Sequence, residues 1–443
     1  MDRRKFITAL GAGAVFPSTA LGKSNGSGTV DVVVIGAGAA GISATRELTQ
    51  RGLNALLIEA GDRIGGRVYT DMAIFGAPYD VGAHWLHNGE INPFVRYGQQ
   101  NGFDLYRSPE AEVFYVGNRK ASDDEYDQFE RAKRDATRAI TRAGEIGRDV
   151  APSEVVPDLT EWNLSANLYI GAYEMAKDFD QFSCADWYSS EDGTDWYCRQ
   201  GFGTLFNHSS RHMNVELNTP AQTVRWGKKG VSVETNRGTI NAKAVIITVS
   251  TGVLATENIK FDPPLPVRKQ EAIQMLSMGH YNHIALKLEQ NFFGIGEDGY
   301  FSYKTTQESN GAPKGFGALV DASGHGITYC DVGGQFAKEL SDQGIAAMQD
   351  FVIGELERMF GSDIKKAVSQ THVFDWTKHS LTKGAYASAS PGGMWARKEI
   401  RRPEADRLWF AGEATSKYEW ATVAGAHKSG IRVAKKIAKT LKS

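Results

Sequence analysis

The clearest hydrophobic pattern in the chain is the run of apolar, mostly β-branched residues at Val30–Ile35. A near-continuous apolar run of this length is typical of a parallel strand that is buried on both faces of a sheet. A helical pattern follows at residues 42–51, and a second apolar run follows at Ala55–Ile58. This order predicts a strand–helix–strand unit and therefore an α/β fold with a parallel sheet.

The rest of the chain alternates between helical and strand patterns and contains no internal repeat. Residues 92–160 are charged and helical in period, which predicts a helical insert on the surface, and residues 164–178 predict another helix. A β-branched run at residues 244–250 predicts a second buried strand. Further predicted elements are strands at 214–226, 231–243, Tyr281–Leu288, Gly299–Tyr303 and Leu408–Phe410, and helices at Ile345–Phe360 and from about Thr422.

A Gly-x-Gly-x-x-Gly motif lies directly between the first predicted strand and its helix. In this setting Gly36 permits a tight turn, Gly38 lets the backbone approach a pyrophosphate, and Gly41 allows the helix to pack closely on the strand. Glu59 ends the second predicted strand, where a carboxylate accepts hydrogen bonds from a ribose. The helix N-terminus also favours phosphate charge. These features together predict a dinucleotide-binding site, which the glycine motif alone would not.

A second short motif, Gly65-Gly66-Arg67, follows Glu59 closely. Taken alone, such a motif is an ordinary turn. Beside the first motif we interpret Gly66 and Arg67 as a second contact with the same diphosphate, with Arg67 donating charge-assisted hydrogen bonds.

Length and composition place the chain among ordinary globular proteins. With 443 residues it has room for about two or three domains. A net charge near −2 gives no reason to expect nucleic-acid binding, and no apolar run reaches the roughly 18 residues of a membrane span. The three cysteines make no disulfide framework. Cys184 and Cys198 are close enough in sequence to pair, but we favour three buried thiols.

The first 25 residues have the layout of a twin-arginine signal peptide, with Arg3 and Arg4 before a weakly apolar stretch and small residues. We therefore exclude residues 1–25 from the fold and predict a periplasmic or secreted protein that uses the twin-arginine export machinery. The alternative is a disordered basic tail. Because this route carries folded proteins, often with a cofactor inserted, it also suggests a tightly held cofactor.

The C-terminal segment identifies a family. A predicted strand, Leu408–Phe410, precedes Ala411, Gly412 and Glu413, and a glycine-rich turn then leads into the last helix. Together with the N-terminal motifs, this arrangement resembles the flavin-containing amine oxidase family, which includes monoamine oxidases, polyamine oxidases and lysine-specific histone demethylases. The resemblance spans about residues 30–438 and is weak in the helical insert.

The resemblance implies an α/β fold in which a Rossmann-like FAD-binding domain is interleaved with an α+β substrate-binding domain. We expect the FAD-binding domain to comprise residues 26–90, 205–280 and 370–443. The substrate-binding domain, with its helical insert, would then comprise residues 91–204 and 281–369.

The resemblance also implies cofactor contacts. Gly412 and Glu413 would bind the ribityl chain, and the turn at Thr422 and Val423 would offer backbone N–H groups to the isoalloxazine. Val224 would pair with the adenine.

Several residues are implied at the substrate end of the site. Trp376 matches an aromatic residue beside the flavin, and Trp85 and His87 match the segment next to the substrate channel. Tyr386 matches one wall of an aromatic cage around the amine. Thr422 aligns with the opposite wall, which is a tyrosine in monoamine oxidases, so a site of the vertebrate monoamine oxidase type is disfavoured.

Two departures from the family pattern are informative. Ala385 stands before Tyr386 where some members carry a cysteine linked to the flavin, so FAD should be non-covalent. Alignment of the strand near residue 281 places His283 where members commonly carry a lysine that reaches flavin N5 through a water. Moving the alignment by four residues would place Lys287 there, but the residues on either side of the strand would then no longer match the family pattern. A core histidine without a catalytic role is the remaining alternative.

These resemblances imply oxidation of an amine by hydride transfer to flavin N5. The imine would hydrolyse to an aldehyde or ketone plus an amine, and O2 would be reduced to H2O2. The candidate catalytic residues are His283, Tyr386 and Trp376, and we expect no metal. Because a histidine replaces the lysine, we also expect an altered, slow reaction with oxygen, which makes a periplasmic electron acceptor plausible.

The substrate class is less well defined. Glu191, Asp192 and Asp195 favour a polyamine, or another primary or secondary amine, unless they form only a solvated loop. The alternatives are an amine dehydrogenase that uses a periplasmic electron carrier, an L-amino-acid oxidase and a non-catalytic flavin-binding protein.

Overall fold

The computed structural model of the protein describes residues 30–157, 160–309 and 311–442. The predicted export segment, residues 1–25, lies outside the described residues. The described part of the chain contains two seven-stranded sheets and three two-stranded sheets. The strands, β1 to β20 in chain order, are Val30–Ile35, Ala55–Ile58, Thr70–Asp71, Tyr79–Asp80, Leu105–Arg107, Glu112–Val116, Arg119–Lys120, Trp196–Cys198, Ala221–Gly227, Gly230–Thr235, Gly238–Ile247, Lys260–Asp262, Tyr281–Leu288, Gly299–Tyr303, Glu308–Ser309, Ala312–Pro313, Gly317–Val320, Ile327–Gly333, Val368–Val373 and Leu408–Phe410.

Helices cover the sheets and form the insert. A π-helical segment, Leu168–Met175, continues the fourth helix, and short 3-10 turns lie at Pro152–Glu154, Ala322–Gly324 and Glu413–Thr415. The α-helices, α1 to α13 in chain order, are Ala39–Gln50, Pro93–Gln100, Asp123–Glu145, Asn163–Asn167, Cys184–Tyr188, Phe202–Ser210, Thr251–Ala255, Val267–Met275, Gly334–Gln343, Ile345–Phe360, Asp363–Ala367, Trp395–Ile400 and Val423–Lys442.

The first large sheet contains the predicted strand–helix–strand unit. Its strand order is β12-β9-β10-β11-β1-β2, and β20 pairs with the end of β11. Strand β1 runs parallel to both β2 and β11, and its valines at 32, 33 and 34 are fully buried. The sheet therefore combines strands from the beginning, middle and end of the described chain.

Helices α1 and α13 pack against each other beside this sheet. A Cβ atom on Gly430 would lie 2.1 Å from the Ala40 carbonyl oxygen, so the two helix backbones approach very closely. This contact fixes the C-terminal helix, whose first turn faces the site, against the helix that follows the glycine motif.

The second large sheet has the order β19-β13-β18-β17-β14-β6-β7. The predicted strands β13 and β14 and the predicted helix α10 are confirmed. The prediction of helix throughout residues 92–160 is wrong in part, because β5, β6 and β7 lie between α2 and α3. Strand β6 has the sequence EVFYV, and its aromatic and β-branched side chains suit its pairing with β14.

The helical insert itself is built around α3. Ser122 and Glu125 form a reciprocal capping box at its start, and Phe129, Ala136 and Ile140 are buried on one face. The charged residues of the segment therefore cover the outside of an amphipathic helix.

The three cysteines, Cys184, Cys198 and Cys330, are buried free thiols, so the Cys184–Cys198 pair does not form. A search of the described residues finds no helix with the length and apolar character needed to cross a membrane. The same part of the chain contains no group of three or more histidine, cysteine or acidic side chains arranged to hold a metal ion.

Candidate active site

A cavity of about 490 Å³ opens at the carboxyl ends of β1, β2, β11 and β20 and continues to the start of β13. Ligands of open parallel sheets bind at this edge. The residues at the strand ends and at β13 lie far apart in sequence, and the fold brings them to one cavity. The wall includes fourteen of the predicted site residues, which are Gly36, Gly38, Glu59, Gly66, Arg67, Trp85, His87, His283, Trp376, Tyr386, Gly412, Glu413, Thr422 and Val423.

The glycine motif forms one end of the cavity. Gly36 has φ +104°, and a Cβ on Gly41 would lie 1.8 Å from the Gly36 carbonyl oxygen, so these two glycines are required by the protein itself. Gly38 differs, because its Cβ would meet only the Gly65 carbonyl oxygen at 3.9 Å. The missing side chain of Gly38 leaves space on the cavity wall, as the close approach of a pyrophosphate to the backbone requires.

Glu59 is held in a fixed orientation beside this turn. One carboxylate oxygen accepts the Ala37 N–H at 2.7 Å, and the other accepts the Gly61 N–H at 2.8 Å. The carboxylate lines the cavity and keeps further lone pairs for a ribose hydroxyl. This geometry fits the role that the sequence predicts for Glu59.

Arg67 and Glu413 connect the N-terminal and C-terminal motifs. Arg67 Nη1 donates to the Ala385 carbonyl oxygen at 2.6 Å and to Glu413 Oε1 at 3.0 Å. Glu413 also accepts the backbone N–H groups of Ala387 and Ala421, each at 3.2 Å. The two predicted cofactor residues are therefore oriented by each other and by the backbone, and their contacts with a diphosphate and a ribityl chain stay predictions.

The N-terminus of α13 faces the same cavity. The Thr422 hydroxyl accepts the Gly425 N–H and donates to the Glu419 carbonyl oxygen, both at 2.9 Å. Thr422 thus caps the helix, and the first turn from Val423 presents its N–H groups and the positive end of the helix dipole. This arrangement suits an electron-rich carbonyl of a flavin ring.

The structure does not bring Val224 to the cavity. Val224 is fully buried in β9, between β10 and β12, and packs in the core. Thr219, Pro220 and Ala221 line the cavity instead, at the point where the chain enters β9. The side chain of Val224 therefore contributes to the core of the sheet and not to the cavity wall.

Aromatic side chains dominate the other end of the cavity. Trp376 is buried, and its indole N–H donates to the Val81 carbonyl oxygen at 2.9 Å. The Tyr386 hydroxyl donates to the Tyr173 carbonyl oxygen at 2.9 Å, and the Tyr281 ring lies 6.2 Å from the Tyr386 ring. Sequence analysis missed Tyr281, although it lies two residues before His283 and so on the same face of β13.

His283, and not Lys287, faces the cavity. His283 Nδ1 contacts Asp331 Oδ1, and Nε2 lies 3.2 Å from the Gly82 carbonyl oxygen. Lys287 instead donates to the Phe75 carbonyl oxygen at 2.9 Å and is absent from the cavity wall. Burial alone would lower the pKa of His283, but the Asp331 carboxylate outweighs burial and raises it. Sequence analysis did not identify Asp331.

The acidic loop, which carries Glu191, Asp192 and Asp195, contacts the cavity wall through Asp195. His87 Nδ1 lies 2.9 Å from Asp195 Oδ1, and the side chain of His87 is exposed. Desolvation by neighbouring protein atoms lowers the pKa of His87, but the Asp195 and Asp192 carboxylates together raise it. Glu191 and Asp192 are exposed. Of the three predicted carboxylates, Asp195 is the one that contacts a residue of the cavity wall.

His84 is a further cavity residue that sequence analysis missed. Its Nδ1 lies 2.9 Å from Asp80 Oδ2, whereas its buried Nε2 has no hydrogen-bond partner among the described residues. Asp80 also accepts the Phe202 N–H at 3.1 Å, so it positions His84 and the start of α6 together. In the sequence, the one feature that pointed to His84 was its position close to His87, in the same short segment.

Comparisons with known proteins identify the family. The family described as flavin containing amine oxidoreductase matches residues 39–438. The chain is 30% identical to polyamine oxidase 2 of Arabidopsis thaliana, across 91% of this chain and 87% of the relative. It is 28% identical to polyamine oxidase 3 of Oryza sativa subsp. japonica, across 92% of this chain and 89% of the relative.

The chain belongs to the flavin containing amine oxidoreductase family. A solved structure of putrescine oxidase bound to putrescine has the same fold, with a TM-score of 0.73 at 20% identity, over 93% of this chain and 99% of that chain. The protein is therefore an FAD-dependent amine oxidase with a Rossmann-like FAD-binding fold.

FAD is bound to this amine oxidase without a covalent link. Ala385 stands beside Tyr386 on the cavity wall. Among the described residues that line the cavity there is no cysteine that could form a thioether with the flavin. The glycine turn, the oriented Glu59 carboxylate and the capped α13 N-terminus fit the phosphates, the ribose and the ring of FAD respectively. We predict that these residues hold the cofactor by hydrogen bonds and by shape.

Proposed function

We propose that this amine oxidase acts on a polyamine, or on another primary or secondary amine. The observation that carries the proposal is the continuous cavity that joins the dinucleotide cradle at Gly38 and Glu59 to the aromatic end at Tyr281 and Tyr386. Bound FAD would supply the two-electron acceptor for the hydride of the carbon beside the amine nitrogen, and O2 would receive the two electrons with two protons to give H2O2. Hydrolysis of the resulting imine gives an aldehyde or ketone plus an amine.

The side chains of the aromatic end position the substrate. Tyr281 and Tyr386 present apolar ring surfaces that exclude water and disfavour the protonated amine, so the nitrogen lone pair stays available. The backbone contact of the Trp376 indole fixes one further wall. Holding the reacting carbon in one orientation lowers the entropic part of the barrier.

A carboxylate near Tyr386 supports a substrate with a second ammonium group. Glu174 follows Tyr173, whose carbonyl oxygen accepts the Tyr386 hydroxyl, and it accepts the Trp187 indole N–H at 3.4 Å. Glu174 is exposed and lies outside the cavity wall, and desolvation by the surrounding protein atoms raises its pKa to about 7. The names of the polyamine oxidase relatives agree with such a substrate.

Replacing Glu174 with glutamine should weaken the binding of a triamine and remove its pH dependence near neutrality. Because the pKa of Glu174 is raised to about 7, its charge and its attraction for an ammonium group are lost as pH falls through that value. We expect the wild-type KM for a triamine to fall as pH rises from 6 to 8. In the variant, KM at pH 8 should be about tenfold higher, equivalent to about 1.4 kcal/mol.

Steady-state kinetics with a triamine and a monoamine measure this effect, because the monoamine lacks the second ammonium group. The matched control is Glu191→Gln, which changes an exposed carboxylate of the acidic loop. An unchanged triamine KM in Glu174→Gln, or an equal change for the monoamine, would contradict the assignment.

An anaerobic titration tests the function itself. The FAD-loaded enzyme is mixed with diamines, polyamines, aromatic amines and L-amino acids, and loss of the visible flavin absorption is recorded. We expect bleaching by polyamines or other primary or secondary amines, followed by release of H2O2 in air. Bleaching by amino acids alone would instead favour an amino-acid oxidase, and no bleaching at all would favour a non-catalytic flavin-binding protein.

An amine dehydrogenase is a second candidate function because His283 stands at the family's lysine position. If the substrate bleaches the flavin but air restores the colour slowly, and a soluble electron carrier restores it quickly, the dehydrogenase is favoured. Fast reoxidation by O2 that is unchanged in His283→Lys would exclude this second candidate.

We also propose that the protein is exported in folded form by the twin-arginine machinery, on the basis of Arg3 and Arg4. Changing both arginines to lysine should retain the flavoprotein in the cytoplasm, which cell fractionation and flavin fluorescence would measure. Equal amounts of periplasmic flavoprotein with and without the arginine pair would refute this route.

A further inference from the structure

Both ring nitrogens of His283 face hydrogen-bond acceptors. Nδ1 contacts a carboxylate oxygen of Asp331, and Nε2 lies 3.2 Å from the carbonyl oxygen of Gly82. A neutral imidazole carries one N–H and would therefore direct a nitrogen lone pair at one of these oxygens. The doubly protonated imidazolium donates to both.

Asp331 also requires a cation. It is 2% exposed, and among the described residues His283 is its ion-pair partner, at Nδ1. A buried carboxylate without a compensating charge is strongly unfavourable. The charge of Asp331 and the charge of His283 thus support each other.

The backbone sets the geometry of this pair. His283 of β13 and Asp331 of β18 are directly opposite in an antiparallel register, so their side chains lie on the same face of the sheet. His283 lines the cavity, whereas Asp331 does not. The positive end of the pair therefore faces the cavity, and the negative end lies behind it.

We propose that Asp331 is a positioning residue that keeps His283 as an imidazolium on the cavity wall. Since both nitrogens are engaged, His283 acts as a fixed positive charge and does not shuttle protons. This charge repels an ammonium group, so the substrate nitrogen that reaches this end of the cavity is neutral. The statement about the substrate nitrogen rests on the proposed amine oxidation, whereas the protonation of His283 does not.

The other titratable groups around the pair agree with this assignment. Asp80, on β4, also raises the pKa of His283. The rings of Tyr281 and Tyr329 lie 5.6 Å and 5.3 Å from the imidazole, and the pKa of each tyrosine is raised well above its ordinary value by burial, so both stay neutral.

NMR of the FAD-loaded protein labelled at histidine tests the proposal directly. The ring signals of His283 are assigned by their loss in His283→Gln. We expect both ring nitrogens to carry protons at neutral pH in the wild type, and the titration to move to lower pH in Asp331→Asn. Asp331→Glu, which retains a carboxylate, should restore part of the shift.

The outcomes that overturn the proposal are specific. One is a single N–H on wild-type His283 at neutral pH, which would show that the ring is neutral. The other is an unchanged titration of His283 in Asp331→Asn. Melting temperature and FAD content show whether each variant is folded, and Asp331→Glu provides a second variant if Asp331→Asn is not.

The pH profile of amine oxidation provides a second measurement. Asp331→Asn should gain a new ionisation in the kcat/KM profile between about pH 5 and 7, where a released histidine titrates. Asp298→Asn, which removes a buried carboxylate that bonds Tyr106 and Ser323, should not. If no amine proves to be a substrate, the proposed function fails while the NMR result still decides the state of His283. If amines are oxidised and the NMR shows neutral His283, the present inference alone fails.

Discussion

Replacing Gly41 with alanine is expected to abolish FAD binding. A Cβ at this position would lie 1.8 Å from the Gly36 carbonyl oxygen and 3.1 Å from Thr248 Oγ1. Neither the carbonyl nor the start of α1 can move without changing the turn that faces the phosphates. We expect FAD affinity to fall by at least about a hundredfold, equivalent to about 2.7 kcal/mol, with a lower yield of folded protein.

Gly354→Ala is the matched control for this substitution. Gly354 also lies inside a helix, α10, but its Cβ would meet nothing within 4 Å. It should retain full FAD content and gain about 0.5–1 kcal/mol of stability, because alanine favours the helix. The measurements are the ratio of flavin to protein absorbance after purification and the melting temperature. A Gly41→Ala protein that retains stoichiometric FAD would contradict the packing argument.

Removal of either partner of the buried Asp186–Arg397 ion pair is expected to destabilise the fold severely. Asp186 is 0% exposed and Arg397 is 3% exposed, and Arg397 Nη2 lies 2.6 Å from Asp186 Oδ2. The same carboxylate accepts the Ala389 N–H at 2.7 Å, and Arg397 Nη1 donates to the Ala414 carbonyl oxygen at 3.1 Å. The pair thus connects α5 to α12 and to the segment that carries Glu413.

A single substitution at this pair leaves an uncompensated buried charge. We expect Asp186→Ala or Arg397→Met to lower the free energy of unfolding by about 3–5 kcal/mol, and the double variant to lose less than the sum of the two. Urea unfolding of the FAD-loaded protein measures this. The exposed pair Asp135–Arg138, 3.4 Å apart, serves as the control and should contribute less than about 1 kcal/mol. Equal losses for the two pairs would show that burial is not the cause.

Local patterns predicted much of the first sheet and of the site. The β1 strand, the glycine turn and Glu59 lie within about one strand–helix–strand unit, so their geometry depends on neighbours in sequence. The strand at residues 281–288 was also predicted correctly, which placed His283 on the cavity wall.

The inaccurate predictions concern contacts between distant segments. Residues 105–120 read as part of a helical insert, but β6 pairs with β14, far along the chain, and that pairing decided its structure. The structure places Val224 in the core of its strand and Ala221, at the start of the same strand, on the cavity wall, so the contact of Val224 with the adenine stays a prediction.

The amino-acid sequence by itself predicted a dinucleotide site, a C-terminal segment beside the flavin and a histidine at the family's lysine position. Only the tertiary structure showed which carboxylate contacts that histidine and which groups orient Arg67 and Glu413. Asp331 reaches His283 because two antiparallel strands set its register, and Arg67 reaches Glu413 across 346 residues because β1 and β20 flank the same strand, β11. Strand pairing depends on the packing of the whole core, so a local pattern does not contain it.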